Sequence, residues 1–431
     1  MRTALVVGLL TLPALSPLAG QAPVEALAAP VDAKVLAWRR DFHEHPELGN
    51  REFRTSKIVL EHLKALGLEV RTGVAHTGVV GILRGGLPGP RIALRADMDA
   101  LPVREQADVP FASKVTTEYN GEKVGVMHAC GHDTHTAILM GVAQALASQK
   151  ATLRGEVMFI FQPAEEGAPA GETGGAELML KEDLFKAFKP SAVLGLHVTS
   201  GLNAGQVGYR SGPAMAAVDD FRIVVTGRQT HGARPWGGVD PIVASAEIIS
   251  SAQTIVSRRL AITHQPVVLT FGAIRGGNRS NIIPEQVEML GTLRTFDPAM
   301  RQKAIEQLRL VATKVAEAHG ATAEVRAPNT HSYPVTANDP ALTARVLPSL
   351  QRAAGAANVV NMDVMTGAED FAFYALQVPG FYYFVGVTPK GQDAEKAPSN
   401  HSQLFYVDES ALPVGTRTLL QAALDLLNAK P

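Results

Sequence analysis

The sequence predicts an α/β protein in two domains: a three-layer domain around a mostly parallel mixed sheet, and a ferredoxin-like α+β domain inserted into it. Three observations predict this. At 431 residues the chain exceeds what one ordinary hydrophobic core serves. Short apolar strands alternate with segments of helical period in the first and last thirds. The middle third follows a different order of elements. Composition agrees, since 46 % hydrophobic and 19 % charged residues suffice to build globular cores.

The pattern is helical over about 30–43, breaks at His45-Pro46, and resumes over 52–66. Residues 78–83 and 91–96 read as strands. A helix is expected over 135–148, with Ile138, Val142, Ala145 and Leu146 on one face. Two more apolar strands follow at 156–161 and 192–196, and strands alternating with helices imply a largely parallel sheet. The middle third then reads strand 221–226, helix 241–256, strands 267–274 and 287–295, helix 298–319 and strand 322–327. That β-α-β-β-α-β order is the split pattern of a ferredoxin-like sandwich. The first pattern resumes at Pro340 and ends near Leu427. The expected division is 30–213 with 330–431 for the larger domain and 214–329 for the insert, because exposed loops tolerate insertions.

Met1-Arg2 precedes an apolar run over 4–18, broken by Pro13 and Pro17 and ending in Ala19-Gly20-Gln21-Ala22. This is the layout of a secretory signal peptide over residues 1–22, too short and interrupted for a comfortable membrane span. An exported protein, periplasmic or secreted, is expected. Its one cysteine, Cys130, cannot form an internal disulfide. An unpaired thiol in an oxidising compartment calls for burial or a metal. With 40 basic against 41 acidic residues, charge gives no reason to expect nucleic acid or a membrane surface as partner.

Chemistry concentrates in a few places. In Met127-His128-Ala129-Cys130-Gly131-His132-Asp133-Thr134-His135, Cys130 and His132 flank a Gly turn before a helix and can converge on one ion. Alone this leaves a merely buried thiol open. Glu165 and Glu166 follow an apolar strand, which delivers them to the end of the sheet where open α/β sheets keep their sites. Adjacent residues point different ways, so one can bind metal while the other faces substrate. His197 is expected at the end of another strand, and Asp97 and Asp99 lie at the end of a third.

These residues resemble peptidase family M20, in its branch of N-acyl-amino-acid and indole-acetyl-amino-acid amidohydrolases. The matching motifs span about residues 34–428: His43-x-His45-Pro46-Glu47-Leu48, Arg95-Ala96-Asp97-Met98-Asp99-Ala100-Leu101-Pro102, residues 127–132, residues 162–166, Asn281-Ile282-Ile283-Pro284 and Glu369-Asp370-Phe371. The resemblance implies two divalent ions held by Cys130, His132, Glu166, His197 and His401. Zinc or manganese are the first expectation, with cobalt and nickel open, because the branch uses a thiolate where the wider family has a His at the position of Asp97. It implies Glu165 as general base and acid, Asp99 as the acid that orients a ligand, and His231 as oxyanion donor, brought from the other subunit of a homodimer. Asn281 and Arg294 are candidates for substrate recognition, although Arg294 equally suits an ion pair within its strand. His128 and His135 are expected to hydrogen-bond around the ligands, Glu369 to support the site, and Tyr382 and Tyr383 to belong to the core. The expected substrate is an N-acyl amino acid. A dipeptidase or carboxypeptidase is the alternative, and a non-catalytic binding relative would have lost Glu165 or some ligands.

Overall fold

A computed structural model of the chain describes residues 23–330 and 332–429. The expected leader, 1–22, lies outside the described residues. None of the described helices is long and apolar enough to cross a membrane.

The first helix runs Val24–Glu44, starting earlier than the sequence suggested and containing Pro30. Val24, Leu27, Ala28, Val31 and Val35 form a buried stripe at helical spacing, so packing outweighs the backbone penalty of the proline. After the helix Phe53–Ala65 comes a hairpin, Glu69–Val74 with Gly78–Arg84. The remaining strands of the large sheet are Leu87–Asp97, Arg154–Gln162, Val193–Asn203, Val207–Tyr209, Val359–Asn361 and Gly380–Thr388. Its four central strands, 154–162, 87–97, 193–203 and 380–388, are mutually parallel, with antiparallel strands towards both edges. The sheet is therefore mixed with a parallel centre.

Helices cover both faces. Along 154–162, Val157, Phe159 and Phe161 join one cluster, which includes the helices Val24–Glu44, His132–Ser148, Pro340–Ala354 and Ala411–Asn428. Met158 and Ile160 join the opposite cluster with Met179, Phe371, Tyr374 and Tyr382. This alternation is what a strand buried on both faces requires.

A second sheet has the order 267–276, 286–295, 217–226, 322–326, antiparallel throughout, with helices Pro241–Thr254 and Pro298–Ala318 on one face. Both helices begin at an Asp N-cap followed by Pro, Asp240 and Asp297 accepting backbone N–H bonds. The unit has its own buried cluster, including Phe221, Ile223, Val225, Ile248, Leu293 and Leu308. Where the chain leaves and re-enters the larger domain, Gly212–Met215 pairs with Thr336–Asn338. This two-stranded neck sets the insert's sheet over the ends of the parallel strands.

Candidate active site and metal centre

The central parallel strands deliver the site. Asp97 ends its strand and Asp99 follows; Gln162 ends the next, and a turn carries Glu165 and Glu166. The turn uses a left-handed Ala164 (φ 52°), whose N–H donates to the buried Glu52 carboxylate. A non-glycine residue in that region is strained and held by its surroundings. His197 departs from expectation. It lies mid-strand, since the strand continues to Asn203, and Phe384 of the neighbouring strand is its register partner. The strand keeps pairing beyond the expected end at 196, as far as Asn203 opposite Thr388. His132 opens its helix, with Gly131 as N-cap at φ 90°. A Cβ there would sit 2.3 Å from Val198 Cγ2, so glycine alone makes the turn.

Four side chains converge on Cys130. Its Sγ lies 3.3 Å from His197 Nε2 and 3.2 Å from His401 Nε2. Cys130, His132 and His197 form one compact group of donors; Cys130, Glu166 and His401 form another. Cys130 belongs to both. The hydrogen bonds fix the tautomers. His197 Nδ1 donates to the Val198 carbonyl (2.6 Å), leaving Nε2 as a lone-pair donor. His132 Nδ1 faces Asp99 Oδ1 at 3.3 Å, and its buried Nε2 has no hydrogen-bond partner. Asp99 also accepts the Glu166 N–H at 2.9 Å, tying the two ligand-bearing segments together. Glu166 Oε1 lies 3.0 Å from His401 Nε2 without hydrogen-bond alignment.

This donor set fits divalent metal. Unsatisfied buried atoms on His132 and Glu166 point into a group of imidazole nitrogens, a thiol and carboxylates, and such groups stay buried only when paired or metal-bound. The electrostatics agree. Burial, with Glu166, Glu165 and Asp97 nearby, pushes the Cys130 thiol well above its usual pKa. Burial would lower His132, but Asp97 and Asp99 outweigh it and push the imidazole up to about 10. Both are the mark of a site built around positive charge, and a bound cation reverses both.

Asp97, at the position where the wider family has a ligand, is instead committed to support. It bonds Arg95 Nη1 and His135 Nδ1, each at 2.6 Å. His135 Nε2 accepts the Val198 N–H, so neither of its ring nitrogens is left for a metal, and its expected supporting part holds. His128 differs from expectation. It is buried, but neither ring nitrogen has a hydrogen-bond partner among the described residues, and burial lowers its pKa to about 3. Its ring lies beside that of His43, with centroids 6.5 Å apart.

Sequence reasoning missed the buried network that lies against Glu165. Arg95, fully buried, lies within 2.9 Å of Asp97, Glu369 and Asp370. Gln162 donates to both Asp370 oxygens, and Tyr382 donates to Glu369 at 2.7 Å. Tyr382 is thus core by burial and polar in function, whereas Tyr383 bonds only Thr418. The Asp370 N–H faces Glu165 Oε1 at 3.4 Å. An Arg inside the apolar run Ile92-Ala93-Leu94-Arg95 was the available signal, because arginine is almost never fully buried unless paired.

A second buried network braces the ligand turn from behind. His43 bonds Asp133 (2.8 Å) and Glu105 (2.9 Å) with its two ring nitrogens, and Arg39 Nε lies 3.0 Å from Asp133. Burial would lower the His43 pKa, but the Asp133 charge and the two carboxylate bonds outweigh it and raise it. A raised folded-state pKa gives stability that is full below the unfolded value, about 6.5, and is lost as pH rises through the folded value. The melting temperature is therefore expected to decline above about pH 6.5. That decline should be shallower in His43→Gln, as thermal scans across the range would read.

A cavity of about 420 Å³ joins the metal-competent residues to the insert. Cys130, Glu165, Glu166, His197 and His401 line one side, and Val218, Asp220, Thr292 and Arg294 the other. These four share one face of the insert's sheet, since Val218 pairs with Arg294 and Asp220 with Thr292, and period-2 alternation sends Phe221 and Leu293 to the insert's own core. Arg294 makes no side-chain hydrogen bond or ion pair among the described residues, so the ion-pair reading of it is set aside. His231 and Asn281 are not brought there. Both are exposed on a separate two-stranded ladder, with Gly232 donating to the Asn281 carbonyl.

Comparison with known proteins gives the same picture. A sequence profile described as peptidase family M20/M25/M40 matches residues 93–425. The chain is 41 % identical over 382 residues to thermostable carboxypeptidase 2 of Saccharolobus solfataricus, covering 88 % of this chain and 92 % of that one. It is 37 % identical to an N-acetylcysteine deacetylase of Bacillus subtilis, covering 91 % and 97 %. Among solved structures, a dinuclear metal-binding M20 peptidase of Bacillus subtilis superposes with a TM-score of 0.75 at 36 % identity, covering 93 % and 99 %.

Proposed function

This chain belongs to peptidase family M20/M25/M40, and from that premise we propose that it hydrolyses N-acyl amino acids, with Glu165 as the proton-transferring group. That it is a metal-dependent hydrolase of amide or peptide bonds follows from the family and its relatives. The observation that carries the finer reading is one cavity holding both the metal-competent cluster with Glu165 and an unpaired guanidinium, Arg294.

Cys130 with His132 and His197 would hold one ion, and Cys130 with Glu166 and His401 the other. Bound there, the ions supply Lewis acidity for activating water and polarising the scissile carbonyl. The mixed thiolate, imidazole and carboxylate set suits zinc, with manganese next. Glu165 is buried beside this cluster. Burial and the charges of Glu369, Glu166 and Asp370 push its carboxyl well above the usual range, and cations bound beside it would draw it back down to where the carboxylate can accept a proton. It takes the proton from water and returns it to the leaving amine. Arg294 binds the substrate's free carboxylate. His231 would act as oxyanion donor only across a homodimer, because within one chain it stands away from the cavity. Export through the leader of residues 1–22 belongs to the same proposal, and the N-terminal sequence of the protein recovered outside the cytoplasm tests it.

A second reading, release of a peptide's C-terminal residue, is favoured by the 41 % identical carboxypeptidase. Both substrates present a free carboxylate to Arg294. Amine release from N-acetyl, N-benzoyl and N-indoleacetyl amino acids, run beside dipeptides, separates them. Turnover of dipeptides alone would move the assignment to the second reading. In either case Arg294→Ala is expected to remove a charged hydrogen bond of about 1.5–3 kcal/mol. That loss should lower kcat/KM by about tenfold to a hundredfold, mainly through KM.

A further inference from the structure

We propose that Met215, Val218, Met365 and Phe384 form the pocket for the side chain of the residue that carries the free carboxylate, and that this residue is apolar. The inference rests on the amide-hydrolase reading and deepens it. It holds whether the other half of the substrate is an acyl group or a peptide.

Arg294 is the one fixed cation among the described residues lining the cavity. A carboxylate drawn into the cavity is oriented by it. Val218 is Arg294's direct cross-strand partner, and such pairs stand side by side on the sheet face. Met215 lies at the end of the neck strand that leads into Val218's strand, and Met365 bridges to Met215. The 365–367 segment is pinned there by backbone bonds, the Ala216 N–H facing the carbonyls of both Met365 and Gly367. Phe384 completes the wall from the large sheet, as the register partner of His197.

A residue bound by its carboxylate at Arg294 carries its side chain on the adjacent carbon. The apolar wall that begins one cross-strand step away meets that side chain first. A charged side chain would find no partner on this wall. Of the acids lining the cavity, Asp220 is engaged by Asn329 and Thr330, Glu369 by Arg95 and Tyr382, and Glu165 and Glu166 belong to the metal-competent cluster. Burying an unpaired charge is strongly unfavourable, so Lys and Glu side chains are rejected. Two methionines make the wall adaptable, which suits a range of apolar side chains over one fixed shape.

The test uses the metal-loaded protein and two substrate series. One varies the amino acid (Leu, Met, Phe, Glu, Lys) under a constant acetyl group; the other varies the acyl group on constant leucine. Expected is a kcat/KM for N-acetyl-leucine, -methionine and -phenylalanine about tenfold or more above that for the glutamate and lysine derivatives. Met365→Lys is expected to raise the glutamate-to-leucine ratio by about tenfold, with little change across the acyl series. A flat amino-acid series, a preference for charged residues, or a Met365→Lys effect confined to the acyl series would overturn the inference. Calorimetric binding of free leucine and free glutamate to the Glu165→Gln protein reads the same pocket without turnover. Leucine-selective binding with no hydrolysis of any substrate would retain the pocket and remove the hydrolase reading; equal binding of the two would remove the pocket.

Discussion

Replacing Glu165 with Gln is expected to lower kcat by about 10²–10⁴, the usual contribution of a positioned general base, while leaving metal content unchanged. The reason is positional. Glu166 and His401 share one donor group with Cys130, and His132 and His197 share the other, so the ions can be held without Glu165. Glu165 sits next to both, 4.0 Å from His132 Nε2, and its backbone carbonyl accepts the Tyr333 hydroxyl. Gln keeps the shape of the side chain but cannot accept a proton at working pH. Metal analysis and steady-state kinetics on the same preparation separate the two properties. A variant that loses metal along with activity would make Glu165 a ligand.

Replacing Cys130 with Ala is expected to have the largest effect on metal content, because its sulfur belongs to both donor groups. Removing it leaves His132 and His197 on one side and Glu166 and His401 on the other, two protein ligands apiece where three or more are customary. Loss of both ions on dialysis is the expected outcome, with activity falling to background. His401→Ala should be milder in metal content, since it touches only the second group. Because ligands that bind only the folded state stabilise it, the Cys130→Ala melting temperature should also stop responding to added zinc. Retention of two ions by Cys130→Ala would show that the thiol is not a shared donor.

The parts of this site that were legible in the sequence share a physical cause. Apolar strands and Gly turns advertise themselves by composition, and residues just past them fall at the sheet's carboxyl edge. Cys130, His132, Glu165 and Glu166 were readable in that way, with motif resemblance supplying their roles. His401 was readable only by resemblance, since it sits in a left-handed turn (φ 71°) with no strand before it. The position of His197 within its strand was hidden, because pairing with Gly380–Thr388 extends a strand beyond its apolar stretch. The edge strand Val359–Asn361 and its neighbour Val207–Tyr209 have three residues each, too few for any periodicity to register. The Arg95 network was hidden for a different reason. Its members come from positions 95, 97, 162, 369, 370 and 382, and only the fold reveals that one guanidinium joins them. Arg294 was visible as a candidate, but its freedom from an ion pair is a fact of packing.

The central claim, that amide hydrolysis depends on metal gathered around Cys130, is tested most directly by titrating metal-free protein with zinc or manganese while following amine release from an N-acyl amino acid. No turnover is expected without metal, and added metal should raise it to a plateau at two ions per chain. Hydrolysis by protein verified as metal-free would contradict it.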